Sequence, residues 1–216
     1  MKSTTTLNNN VMAQTAETQA QITPAVAVQM LKEGNARFMN GTPVNRDLHA
    51  QVKQTATGQY PFAAVVSCID SRIPTEIIFD QGIGDIFNAR VAGNFVNEDI
   101  LGSLEFACKL AGSKVIVVMG HTSCGAVKGA CDQAKLGNLT QMLDKIMPAV
   151  EAVKTAPEAD RSSGNLAFVN EVAQKNVEMT IEEIKEKSPV LFEMYKKNEI
   201  DIIGAMYDVK TGKVTF

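Results

Sequence analysis

The chain has 216 residues, of which 45% are hydrophobic and 21% charged, a balance that suits one folded domain and excludes a wholly disordered or fibrous polymer. Lys plus Arg total 21 against 24 Asp plus Glu, so the net charge of -3 offers no positive field to recruit nucleic acid. Four cysteines are too dilute for a disulfide scaffold, and a reducing compartment is expected.

Residues 1–23 are rich in Thr, Asn, Gln and Ala and lack the apolar core of a signal peptide. They read as a flexible N-terminal tail, with residues 24–216 as a single catalytic or binding domain. A cytoplasmic location is expected, with the periplasm as the alternative if an export signal has been removed. No apolar run approaches the roughly 20 residues of a membrane span, so no transmembrane segment is expected. Ala25, Val28, Leu31 and Phe38 recur at helical spacing after Pro24, which predicts a helix over 25–40. Residues 41–58 are polar, carry Pro43 and read as loop with a short helix; His49 within them is a surface residue.

Apolar runs at 62–67, 83–89 and 114–119 lack polar alternation and read as strands of a parallel sheet covered on both faces. Residues 99–111 form the crossover helix between the second and third. Helical segments follow at 123–135 and 139–153, a break at 157–164, then helices over 165–186 and 189–197. A strand over 200–207 and a turn at 210–213 returning a short terminal strand complete the chain. The fold class is α/β, with a central, mainly parallel β-sheet flanked by helices.

The informative residues are the scarce ones. Cys68 follows the strand at 62–67, and His121 and Cys124 follow the strand at 114–119 across Gly120. Both positions lie beyond C-terminal strand ends, where an open parallel sheet binds its ligands. Two thiolates and an imidazole suit zinc and leave a fourth tetrahedral position open. On spacing alone Cys68 is equally a small buried residue. Asp70 and Arg72 stand beside it and pair either as part of a site or as a plain loop salt bridge.

The run Cys68-Ile69-Asp70-Ser71-Arg72, the run His121-Thr122-Ser123-Cys124-Gly125 and the intervening Gly84-Asp85-Ile86-Phe87-Asn88-Ala89-Arg90-Val91-Ala92-Gly93-Asn94 together resemble the motifs of β-class carbonic anhydrases. The resemblance spans roughly residues 25–214. It implies zinc held by Cys68, His121 and Cys124, and an Asp70–Arg72 dyad that orients the nucleophile. The implied reaction is reversible hydration of carbon dioxide to bicarbonate and a proton by zinc-bound hydroxide. It also implies two states: Asp70 paired with Arg72 in the active one, and released onto the metal in the inactive one.

The same resemblance places Phe87, Val91, Ala92, Gly93 and Asn94 around the substrate pocket. Val91 departs from the asparagine that many relatives carry before this Ala-Gly-Asn. A homodimer follows from the family, with the early helix reaching across the partner and a dimer of dimers as the higher assembly. Two alternatives stay open: hydrolysis of carbonyl sulfide or carbon disulfide, and a structural or regulatory zinc site without activity. Cys108 and Cys131 read as packing residues, and neither His49 nor Tyr207 carries a role.

Overall fold

The structure, a computed structural model, describes residues 11–216. Among them five strands, β1 Ala63–Ser67, β2 Ile86–Arg90, β3 Val115–His121, β4 Asp201–Tyr207 and β5 Val214–Thr215, form one sheet in the order β2-β1-β3-β4-β5. The first four are parallel, and β5 returns antiparallel to β4. Every residue of β1 and β3 is buried, because helices cover both faces, and this is why the apolar runs carry no alternation. Val65, Val117 and Met119 face one core; Ala64, Val66, Ile116 and Val118 face the other.

The helices are α1 Ala16–Ala20, α2 Pro24–Asn40, α3 Leu48–Gln54, α4 Thr75–Ile78, α5 Glu98–Glu105, α6 Gly125–Cys131, α7 Gly137–Asp144, α8 Met147–Ala152, α9 Leu166–Lys187 and α10 Pro189–Lys196. Thr23 caps α2 through a bond from the Val26 N–H, and Pro24 begins it, where a missing N–H costs nothing. Leu31 and Ala27 of α2 are buried in the first core, and Asn35 accepts from the Val214 N–H while donating to the carbonyls of Ile78 and Gly212. The early helix is therefore fastened to its own chain.

Several boundaries differ from the sequence reading. The strand expected over 83–89 starts at Ile86, because Gly82 to Asp85 form a turn in which the Asp85 carboxylate accepts from the Gly82 N–H. The crossover helix gives way to a π-helical turn over Phe106–Leu110. The helix expected over 139–153 is two helices, with Pro148 in the first turn of α8. Of the segment read as a flexible tail, residues 1–10 lie outside the described residues. Residues 11–23 run along the domain: the side chain of Gln19 donates to the carbonyls of Pro61 at 2.7 Å and Ala111 at 2.8 Å, and Ala13 N–H bonds Gln54. No described helix is long and apolar enough to cross a membrane.

Candidate metal centre

Cys68 is the first residue past β1, and its loop is held from the neighbouring strand. Arg90, at the end of β2, donates through Nε to the Cys68 carbonyl at 3.0 Å and through Nη2 to the Asp70 carbonyl at 2.7 Å. His121 ends β3, and Cys124 caps α6 three residues later. The intervening Ser123 adopts a left-handed φ of 56°, unusual for a residue with a Cβ, and its N–H donates to Asn170 Oδ1 on α9 at 2.9 Å. Gly120, just before His121, lets α9 approach: a Cβ there would stand 2.7 Å from Val177 Cγ2 and 2.8 Å from Met206 Sδ.

The three candidate donor atoms lie within 4.8 Å of one another, all three residues are buried, and the two sulfurs are 4.0 Å apart. Two thiolates on one tetrahedral zinc, at about 2.3 Å each, stand roughly 3.8 Å apart. His121 Nδ1 lies 3.0 Å from the Thr122 carbonyl, which can only accept, so the proton sits on Nδ1 and the lone pair on Nε2. Nε2 is buried, faces the sulfurs and has no hydrogen-bond partner. A metal-binding imidazole needs this tautomer and this fixed orientation.

The two thiols are pushed in opposite directions. The Cys124 thiol beside it, helped by His121 and the Gly93 N–H and opposed by burial, holds Cys68 down to about 4. The Gly93 N–H lies 3.3 Å from the Cys68 sulfur. The Cys68 thiolate and then burial push Cys124 upward. Both sulfurs ionise together only with a cation between them, and zinc fits this donor set.

Asp70 and Arg72 form a two-pronged ion pair beside the cluster: Arg72 Nε to Asp70 Oδ1 at 2.9 Å and Nη2 to Oδ2 at 2.7 Å, with the Arg72 N–H also on Oδ1 at 3.0 Å. The guanidinium outweighs burial and keeps the Asp70 carboxyl well below the usual carboxylate range. Asp70 Oδ2 lies 3.9 Å from His121 Nε2, so the carboxylate borders the donor cluster while staying paired with Arg72. Its side chain is 15% exposed and that of Arg72 51%, which places the pair between the buried donors and solvent.

Gly93 and Asn94 form a tight buried turn with φ of 89° and 44°, and Asn176 on α9 donates to the Gly93 carbonyl at 2.7 Å. Glycine is required at 93, where a side chain would strain the backbone and strike Ile146. Val91 and Ala92 are half-buried at the start of this turn, and Val91 N–H bonds the Ser67 carbonyl. Phe87 is not beside the donors in this chain. It points to the opposite sheet face, where its ring meets Phe106 at 6.1 Å and lines a cleft of about 490 Å³. Period-two alternation places it there, since Phe87 pairs in register with Ala64. Cys108 is packed in the second core, Cys131 is half-buried against the first, and His49 is exposed on α3.

An α/β domain with a Cys-His-Cys donor set at the C-terminal edge of its parallel sheet, bordered by a paired carboxylate, defines a metalloprotein of the open-site kind. The family model for carbonic anhydrase matches residues 63–214. Carbonic anhydrase 2 of Mycobacterium tuberculosis is 36% identical over 191 residues, covering 88% of this chain and 91% of the relative. The carbonic anhydrase of Mycolicibacterium smegmatis is 32% identical over 197 residues, covering 88% and 92%. Among solved structures, the β-carbonic anhydrase CafA of Aspergillus fumigatus superposes with a TM-score of 0.66 at 24% identity, covering 88% of each chain. The β-carbonic anhydrase CcaA gives 0.68 at 23%, covering 87% of this chain and 86% of its own. The chain belongs to the β-carbonic anhydrase family.

Three residues around the centre were not singled out by the sequence reading: Arg90, Asn170 and Asn176. Arg90 stands directly after an expected strand, a position that could have marked it. The two asparagines sit in a long helix with nothing nearby in sequence to mark them.

Proposed function

We propose that this chain catalyses the reversible, zinc-dependent hydration of carbon dioxide to bicarbonate and a proton. The observation that carries the proposal is the buried, unpartnered His121 Nε2 facing the Cys68 and Cys124 sulfurs, with the Asp70–Arg72 pair on the same rim. Cys68, His121 and Cys124 would hold the zinc, whose Lewis acidity makes hydroxide available near neutral pH. Asp70, kept ionised by Arg72, offers only acceptor oxygens to the space beside His121. A hydroxyl held there would donate a hydrogen bond to Asp70 and so turn a lone pair toward an incoming substrate, which is catalysis by positioning. Val91 and Ala92 supply apolar surface suited to a small linear molecule that needs no hydrogen bonds, and Gly93 and Asn94 close the turn beside them.

The catalytic unit is read as residues 24–216 with residues 11–23 fastened along it, in a cytoplasmic setting that keeps the thiols reduced. The working assembly is a homodimer. Phe106 and Leu110, 50% and 75% exposed, leave apolar surface next to the cleft that holds Phe87, and a second copy would cover it. Stopped-flow assays on metal-analysed protein, with carbon dioxide and carbonyl sulfide as alternative substrates, test the reading. Zinc-loaded protein inert to carbon dioxide but active on carbonyl sulfide would redirect it to sulfur chemistry, and inertness to both would leave a structural zinc site.

A further inference from the structure

Helix α9 touches both halves of the metal centre, each time through an asparagine. Asn170 Oδ1 accepts the N–H of Ser123, the left-handed residue between His121 and Cys124. Asn176 Nδ2, buried, donates to the carbonyl of Gly93, whose own N–H points at the Cys68 sulfur. The helix itself has little freedom to shift. Val169, Val172, Ala173 and Val177 are buried, and the glycine at 120 brings Val177 against the strand that ends in His121.

Cys68 stands just past β1, and His121 and Cys124 stand at and just past the end of β3, so their spacing depends on the relative position of those two strand ends. Neither contact of α9 lies within regular sheet hydrogen bonding: Ser123 lies past β3 and Gly93 past β2, in a turn whose N–H reaches the Cys68 sulfur, and both are in left-handed backbone. A single rigid element that bonds both can fix the distance between the Gly93 turn, whose N–H holds the Cys68 sulfur, and the His121–Cys124 pair. We propose that Asn170 and Asn176 are positioning residues of the metal centre, with α9 as the beam that holds the His121–Cys124 loop in register with the Gly93 turn that braces Cys68. The inference rests on the zinc reading above.

The two bonds run in opposite senses, and this makes the test specific. Asn170 works as an acceptor, so Asn170→Asp keeps the bond and Asn170→Leu removes it. Asn176 works as a donor, so Asn176→Asp removes it. Zinc-loaded proteins are challenged with a chelator and the release rate is followed, and cobalt(II)-substituted samples give the ligand-field and thiolate charge-transfer spectrum. Expected are zinc release about 10- to 100-fold faster in Asn170→Leu and Asn176→Asp, a shifted cobalt spectrum in both, and parent-like behaviour in Asn170→Asp.

Release within about twofold of the parent in both disrupted variants, with unchanged cobalt spectra, overturns the inference. So does Asn170→Asp releasing zinc as fast as Asn170→Leu, because packing rather than the hydrogen bond would then be the cause. Should the buried Asn176→Asp fail to fold, the half-buried Asn170 pair decides the matter alone. A parent protein that holds no zinc overturns the functional reading and this inference together, whereas a zinc-retaining parent with indifferent variants overturns this inference only.

Discussion

The carboxylate of Asp70 stops 3.9 Å short of His121 Nε2, held there by the fork of Arg72. The carboxylate is thus engaged by Arg72 at the edge of the donor cluster. Asp70→Asn keeps the size but replaces an acceptor-only group with one that also donates, and carbon dioxide hydration should fall by about 100-fold with zinc content unchanged. Arg72→Lys retains the charge without the planar fork and should fall between the two. Equal hydration rates in parent and Asp70→Asn, measured by stopped flow, would remove Asp70 from the reaction.

Metal removal should be felt by the whole fold. The donors lie at the ends of β1 and β3, the central strands, and an emptied site leaves two thiols crowded together and the buried His121 Nε2 without a hydrogen-bond partner. A ligand that binds only the native state adds stability by mass action, about 4 kcal/mol at a thousandfold excess over its Kd. Chelated protein should therefore melt several degrees lower and recover on adding zinc. Identical melting curves with and without metal would contradict this.

Asn35 joins α2 to the C-terminal strand by satisfying three backbone groups from a buried position. Asn35→Leu leaves those groups without partners and should cost about 2–4 kcal/mol, since each stranded buried group costs about 1–3 kcal/mol and some regain water. Urea unfolding, read as a shift in midpoint at constant slope, checks it.

Asp80 links acid stability to the segment after α2. Burial would raise its carboxyl, but Arg37 at 2.5 Å, the Val44 N–H and Arg46 at 2.6 Å outweigh it and hold the carboxyl below the ordinary value of 3.8. A carboxyl depressed in the folded state contributes stability that is full above its unfolded pKa and is lost as pH falls through its folded pKa. The stability gap between parent and Asp80→Asn should be about 2–4 kcal/mol near pH 7, and should close below about pH 4. A gap that stays constant down to pH 2 would rule the linkage out.

Much of this was legible in the chain because burial on both sheet faces leaves an uninterrupted apolar run, as in Val115 to Met119. Ile83 misled because it is apolar yet lies in the turn closed by Asp85. Gln19 defeated the reading of residues 11–23 as tail: its partners are 42 and 92 residues away, and no local pattern announces such bonds. Cys68, His121 and Cys124 were candidates because they fall at strand ends, where topology brings distant residues together, and the motif resemblance made them one donor set. The asparagines on α9 bond residues 47 and 83 positions away, and nothing in a helical repeat distinguishes them from solvent-facing polar residues. Phe87 was placed near the pocket by resemblance, while strand alternation sends it to the other face.

The account stands most directly on stopped-flow hydration of carbon dioxide by protein whose zinc content has been measured on the same sample, with Cys68→Ser alongside. It predicts hydration in proportion to bound zinc, and loss of both zinc and activity in Cys68→Ser. A parent protein fully loaded with zinc and no faster than buffer would contradict it.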